Sequence, residues 1–104
     1  MMISKAELKR FKAIGHSLKP VVTIAGNGTS DAVLGELNRA LKDHELIKIR
    51  INAEDRRDRA DAIDRIRIYS EAQVIQRIGN VALLYKRASK PDPRLSNLLR
   101  TDIL

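Results

Sequence analysis

The sequence contains no cysteine, which excludes a disulfide scaffold, a thiol nucleophile and a cysteine-ligated zinc site. It is almost as poor in aromatic residues: Phe11, Tyr69 and Tyr85 are the whole set. Proteins that hold single strands by base stacking need an aromatic platform. The shortage of rings therefore argues for contacts to a sugar–phosphate backbone. No apolar run approaches the ~20 residues of a membrane-spanning helix, and no signal-peptide pattern opens the chain. The expectation is a protein of the reducing cytoplasm with no membrane partner. His16 and His44 are the only histidines, and no HExxH or similar ligand spacing joins them to carboxylates. There is no GxxxxGK[ST] phosphate loop, and no Ser-His-acid set can be assembled. Neither metal, cofactor, small-molecule substrate nor catalytic residue is expected.

What is abundant is positive charge. Twenty Lys and Arg oppose thirteen Asp and Glu, a formal net charge of +7. Such a field attracts polyanions, nucleic acid first and an anionic membrane surface second. At 104 residues with 43% apolar content, the chain has room for one domain and one core.

Ser4 and Glu7 form a capping-box pattern, with Ile3 and Leu8 placed for a hydrophobic staple. Leu8, Phe11 and Ile14 make one apolar stripe of a first helix, for which Gly15 is a plausible stop. Lys5, Lys9, Lys12 and His16 recur at steps of four, three and four, which collects them on another face. Val21 to Ile24 is a short β-prone run, and Ala25-Gly26-Asn27-Gly28 is a sharp turn. Thr29-Ser30-Asp31 supplies N-cap chemistry for a second helix that carries Val33, Leu34, Leu37 and Leu41 and finishes near His44. Ile47, Ile49 and Ile51 alternate with Lys48 and Arg50, the clearest strand in the sequence, apolar on one face and basic on the other. A charge-rich helix is expected from Glu54 to near Ser70. Arg56, Arg57 and Arg59 stand there among Glu54, Asp55, Asp58 and Asp61, which reads as a self-paired solvated face worth little. Ala72 to Ile78, Gly79-Asn80 and Val81 to Lys86 read as a hairpin.

The order α-β-α-β-α-β-β predicts an α/β (α+β) fold, a four-stranded mixed sheet with helices packed on its apolar side and a basic face left open. Residues 1–87 form the single domain. Residues 88–104 are a tail, extended or turning into a short helix, in which Leu95, Leu98 and Leu99 are the docking candidates.

The turn Gly26-Asn27-Gly28 before a helix N-terminus combines close backbone approach with unpaired N–H groups, the parts of an anion site. Alone, such a turn more often only reverses the chain. Four blocks taken together say more: Leu18-Lys19-Pro20-Val21-Val22, Ala25-Gly26-Asn27-Gly28, His44-Glu45-Leu46-Ile47-Lys48-Ile49, and Ile78-Gly79-Asn80-Val81-Ala82-Leu83-Leu84-Tyr85. In this order and spacing the chain from about Ser4 to Arg87 resembles the CRM domain in its stand-alone bacterial YhbY form. The resemblance implies a fold like the C-terminal domain of a translation initiation factor and a Gly-x-x-Gly loop that contacts RNA. It also implies association with precursors of the large ribosomal subunit; plant relatives assist group II intron splicing. One departure is plain: the loop of the family has glycine at both ends, and here the first position is Ala25, with glycine at Gly26.

The RNA-contacting residues expected on these grounds are Lys5, Lys9, Lys12, His16, Lys19, Ala25, Gly26, Asn27, Gly28, Lys48 and Arg50. The partner is ribosomal RNA or a pre-large-subunit particle, and the chain is expected to be a monomer. Two other readings are distinguishable from this one. A small phosphate-handling hydrolase on an α/β sandwich would use Asn27, His16 and a nearby arginine, and a protein-binding adaptor would turn its basic face to acidic partners.

Overall fold

The computed structural model describes residues 3–25 and 29–100. Their order is α1 (Lys5–Ser17), β1 (Pro20–Ala25), α2 (Asp31–His44), β2 (Leu46–Asn52), α3 (Arg56–Ser70), β3 (Gln73–Ile78) and β4 (Val81–Tyr85). The strands make one sheet in the order β1-β2-β4-β3, with β1 parallel to β2 and the other two pairs antiparallel. The expected mixed α/β sheet is therefore present. Local chemistry fixes its joints. Ser4 and Glu7 close the capping box at the start of α1, Ser30 Oγ accepts from the Val33 N–H to start α2, and Asp55 accepts from the Arg57 N–H to start α3. Gly79 turns the β3–β4 hairpin with φ +56°, a region where a side chain would be strained.

One face of the sheet carries Ile24, Ile47, Ile49, Ile51 and Leu84, packed under Leu34, Leu37 and Leu41 of α2 and Ile63 and Ile66 of α3. Each such side chain contributes about 1.5–3 kcal/mol by leaving water.

The other face departs from expectation. It is basic, but α1 covers half of it, so the molecule has three layers, α2 and α3, sheet, α1. The cause is a second apolar set: Leu46, Ile75, Leu83 and Tyr85 project from this face at one end of the sheet and receive Phe11 and Ile14 of α1. The Phe11 and Tyr85 rings lie 4.7 Å apart, tilted by 40°. Two of the three aromatic residues are thus spent in the core.

Gly15 does not stop α1, which runs on to Ser17. It is buried, and a Cβ built on it would lie 2.5 Å from Leu83 Cδ2. Its role is close approach of helix to sheet.

The charge-rich helix also pairs differently from the expected internal network. Among the described residues the ion pair on α3 is Asp64 with Arg67, at 3.8 Å. Arg59 instead donates to Asn80 Oδ1 at 2.6 Å, tying α3 to the hairpin tip.

After Arg87 the chain folds back through turns and packs beside α1 and the end of α2. Leu95 and Leu99 stay exposed, whereas Ser96 and Asn97 are buried. Asn97 donates its backbone N–H to the His44 carbonyl and its carboxamide to the Leu46 carbonyl. Arg10 of α1 donates to the Leu98 carbonyl. Of the three docking candidates Leu98 alone packs against the Phe11 and Tyr85 cluster, and polar pairing holds the rest of this segment.

Candidate nucleic-acid interface

Because α1 covers only one end of its sheet face, the uncovered part becomes the floor of a groove walled by the C-terminal turn of α1. Strand register builds that floor. Lys48 of β2 lies opposite Leu83 of β4, and Leu83 opposite Gln76 of β3. In the neighbouring row, Arg50 lies opposite Val81, and Val81 opposite Ile78. Each row thus runs from a cation through an aliphatic residue in the middle, and the two end in an amide and an aliphatic side chain. Strands stand about 4.8 Å apart, so cation and far end are separated by roughly 10 Å. Gly15 and His16 form the wall, and Pro20 closes the β1 side. Among the described residues, none that lines this hollow is acidic.

Of the basic residues of α1, His16 lines this groove. Spacing puts Lys5, Lys9, Lys12 and His16 on one flank of the helix, and all four are exposed. His16 reaches the groove, and the lysines lead away from it along the same flank of α1. Arg10 lies on a different flank, turned to the tail. His16 stands in the last turn of α1.

Lys19 is placed differently. It lines an adjoining hollow with His44, Asn97 and Arg100, and Lys48 borders both. There His44 Nδ1 donates to the Leu95 carbonyl at 2.8 Å, which occupies that nitrogen structurally. Ala25 ends β1 opposite Asn52 and is exposed, in ordinary strand pairing. Gly26, Asn27 and Gly28 lie outside the described residues. Of the remaining expected residues, the structure brings His16, Lys48 and Arg50 into one groove, and Lys5, Lys9 and Lys12 lie outside its lining, on the flank of α1 that carries His16.

Sequence reasoning missed the non-basic part of the floor, Gln76, Ile78 and Val81. A signal was available, since counting back from the Gly79-Asn80 turn pairs Ile78 with Val81 and Gln76 with Leu83. Tyr69, the third aromatic, is exposed on α3, across the sheet from the groove. Among the described residues the ring that lines the groove is therefore the His16 imidazole.

Residues 3–86 match the family model of the CRS1/YhbY (CRM) domain. A Pseudomonas aeruginosa protein named a probable RNA-binding protein is 44% identical over 100 residues, 96% of this chain and 96% of its own length. A Haemophilus influenzae protein named RNA-binding protein is 36% identical over 84 residues, 81% of this chain and 85% of that one. A Bacillus subtilis protein, also named a probable RNA-binding protein, is 30% identical over 83 residues, 79% and 86% of the two chains. Among solved structures, a hypothetical Staphylococcus aureus protein described as a candidate RNA-binding protein matches with a TM-score of 0.72. It covers 86% of this chain and 93% of its own at 17% identity, a likeness of fold.

Proposed function

This chain belongs to the CRS1/YhbY (CRM) domain family, and from that premise we propose that it is a non-catalytic RNA-binding protein acting on ribosomal RNA in precursors of the large subunit. The observation that carries this reading is the groove between α1 and the sheet, which gathers His16, Lys48 and Arg50 with no acidic lining among the described residues, beside the lysine flank of α1. A row of cations without carboxylates is what a phosphate backbone neutralises. The relatives' names support RNA as the polyanion, and the family resemblance supports the ribosomal precursor and adds the loop Ala25–Gly28 as a further contact. The protein works in the cytoplasm, as a monomer.

The test is binding of a structured ribosomal RNA fragment as salt is varied. The logarithm of the association constant should fall with the logarithm of salt by about 0.7–0.9 per phosphate neutralised. Lys9→Glu with Lys12→Glu should weaken binding and flatten that slope while the thermal midpoint holds. Unchanged affinity and slope would remove this surface. In a sucrose gradient the protein should travel with large-subunit precursors and leave them on ribonuclease treatment; migration at the top of the gradient in both samples would refute the ribosomal assignment.

A further inference from the structure

The phosphate reading uses the cations of the groove and leaves its other half without a task. We infer that this half is a socket for one unpaired nucleotide, with the base lying across Val81 and Ile78 and its edge read by Gln76. The inference rests on the RNA-binding reading above and specifies what the RNA must offer.

Three features point to a base. The first is polarity along each row. A phosphate wants cations throughout, whereas here the cations Lys48 and Arg50 stand at the β2 side and the floor beyond them is aliphatic. A nucleotide has that same division, a charged end and a flat, largely apolar one. The second is Ile78, which is 65% exposed on an otherwise polar rim. A large aliphatic side chain left in water beside a concave apolar floor gains by being covered. The third is the Gln76 side chain. It points into the hollow at the far end of the Lys48 row, and among the described residues its carboxamide has no hydrogen-bond partner. A carboxamide offers a donor and an acceptor together, which suits the edge of a nucleobase.

The size fits one nucleotide. The hollow holds about 310 Å³, near the lower end of small-molecule sites, which run from roughly 300 to 1,000 Å³. The planar groups available for stacking are the His16 imidazole and the Arg50 guanidinium, both known partners for splayed-out bases. A base paired within an A-form helix cannot enter, because its edge and faces are already used. The socket therefore selects bulges, loops and ends over continuous duplex.

The test compares two RNA hairpins that differ by a single bulged 2-aminopurine, titrated by fluorescence anisotropy. The ratio of affinities is read, since phosphate contacts are common to both. The wild-type protein should favour the bulged hairpin roughly tenfold, the scale of one good base contact. The 2-aminopurine emission should rise as the base leaves its stacked neighbours. Gln76→Ala and Ile78→Ala should each bring the ratio toward one, and if either variant fails to fold, the other decides. Lys9→Glu should lower both affinities together and keep the ratio. Equal wild-type affinities, or a preference unchanged in the folded variants, would overturn the socket while leaving the RNA reading intact. Failure to bind either hairpin would overturn both.

Discussion

The Glu45 carboxylate accepts the Ser96 hydroxyl at 2.7 Å, joining residues 51 apart in sequence, and its other oxygen accepts the Ala88 N–H at 2.9 Å. Glu45 is buried at the C-cap of α2 with φ +62°, a conformation that costs a side-chain-bearing residue on the order of 1 kcal/mol or more. One residue thus ends a helix, turns the chain into β2 and clasps the C-terminal segment. Glu45→Ala leaves a buried N–H and hydroxyl unpaired and should destabilise by about 2–4 kcal/mol. Glu45→Gly loses the same bonds but relieves the backbone, so it should unfold about 1 kcal/mol later than Glu45→Ala. Amide exchange at Ala88 and Asn97 should accelerate in both. Unaltered exchange, or an alanine variant as stable as the glycine one, would show that the clasp contributes nothing.

Gly15 and Leu83 should behave as a coupled pair. Gly15→Ala gains about 1 kcal/mol in helix propensity but drives a methyl to 2.5 Å from Leu83 Cδ2, and overpacking costs about 1–3 kcal/mol. A small net loss of stability is expected. Leu83→Ala alone opens a cavity at about 2–5 kcal/mol. In the double variant the new methyl enters the space that Leu83 leaves, so the combined loss should fall short of the sum by about 1 kcal/mol or more. Urea unfolding of the four proteins closes the cycle. Additivity within about 0.5 kcal/mol would mean that α1 does not rest on Leu83.

How far the sequence foretold this arrangement depends on the range over which each signal acts. The alternation of Ile47, Ile49 and Ile51 with Lys48 and Arg50 is complete within one strand, so β2 and its two faces were legible. So were the caps at Ser4 and Ser30, each set within four residues. The docking of α1 on the basic face was not, because its seat is divided among Leu46, Ile75, Leu83 and Tyr85 on three strands that only sheet pairing aligns. A register shift between Val74 and Gln76 further hides the parity of β3. Gly15 was misread for a related reason. Lack of a Cβ serves a helix stop and a close approach equally, and only the partner distinguishes them. The cationic members of the groove were visible because charge is legible without a partner, whereas Gln76 and Ile78 acquire meaning only opposite Leu83 and Val81.

If the groove face binds RNA, position should matter more than net charge. Lys12→Glu and Arg65→Glu change the formal charge equally, but Lys12 stands on the flank of α1 that leads to the groove and Arg65 on α3, on the far layer, and both are exposed. Lys12→Glu should weaken RNA binding several-fold and lower the salt slope by about 0.7–0.9, whereas Arg65→Glu should leave the slope as it was. Equal losses in the two variants would mean that the long-range field of the whole molecule acts, and no particular face.

Tyr85 supplies a pH test of the second core. Burial holds its phenol above the ordinary value of 10.0, the nearby Glu45 carboxylate pushes the same way, and Arg87 opposes them in part. Below pH 10 the phenol is protonated in both folded and unfolded chains and contributes no pH dependence. Above it the unfolded chain releases its proton first, so the folded state binds more protons and stability falls as pH rises, by at most about 1.4 kcal/mol per pH unit, until the folded phenol also ionises. Tyr85→Phe keeps the ring against Phe11 and removes the titration. The stability difference between the two proteins should therefore be flat from about pH 8 to 9.5 and then move against the wild type. Glu45→Gln, which removes the carboxylate's contribution, should narrow the pH window of this loss from its upper end. Urea midpoints measured across that range decide it: parallel curves for wild type and Tyr85→Phe would mean that the phenol ionises as easily in the folded protein as in the unfolded chain.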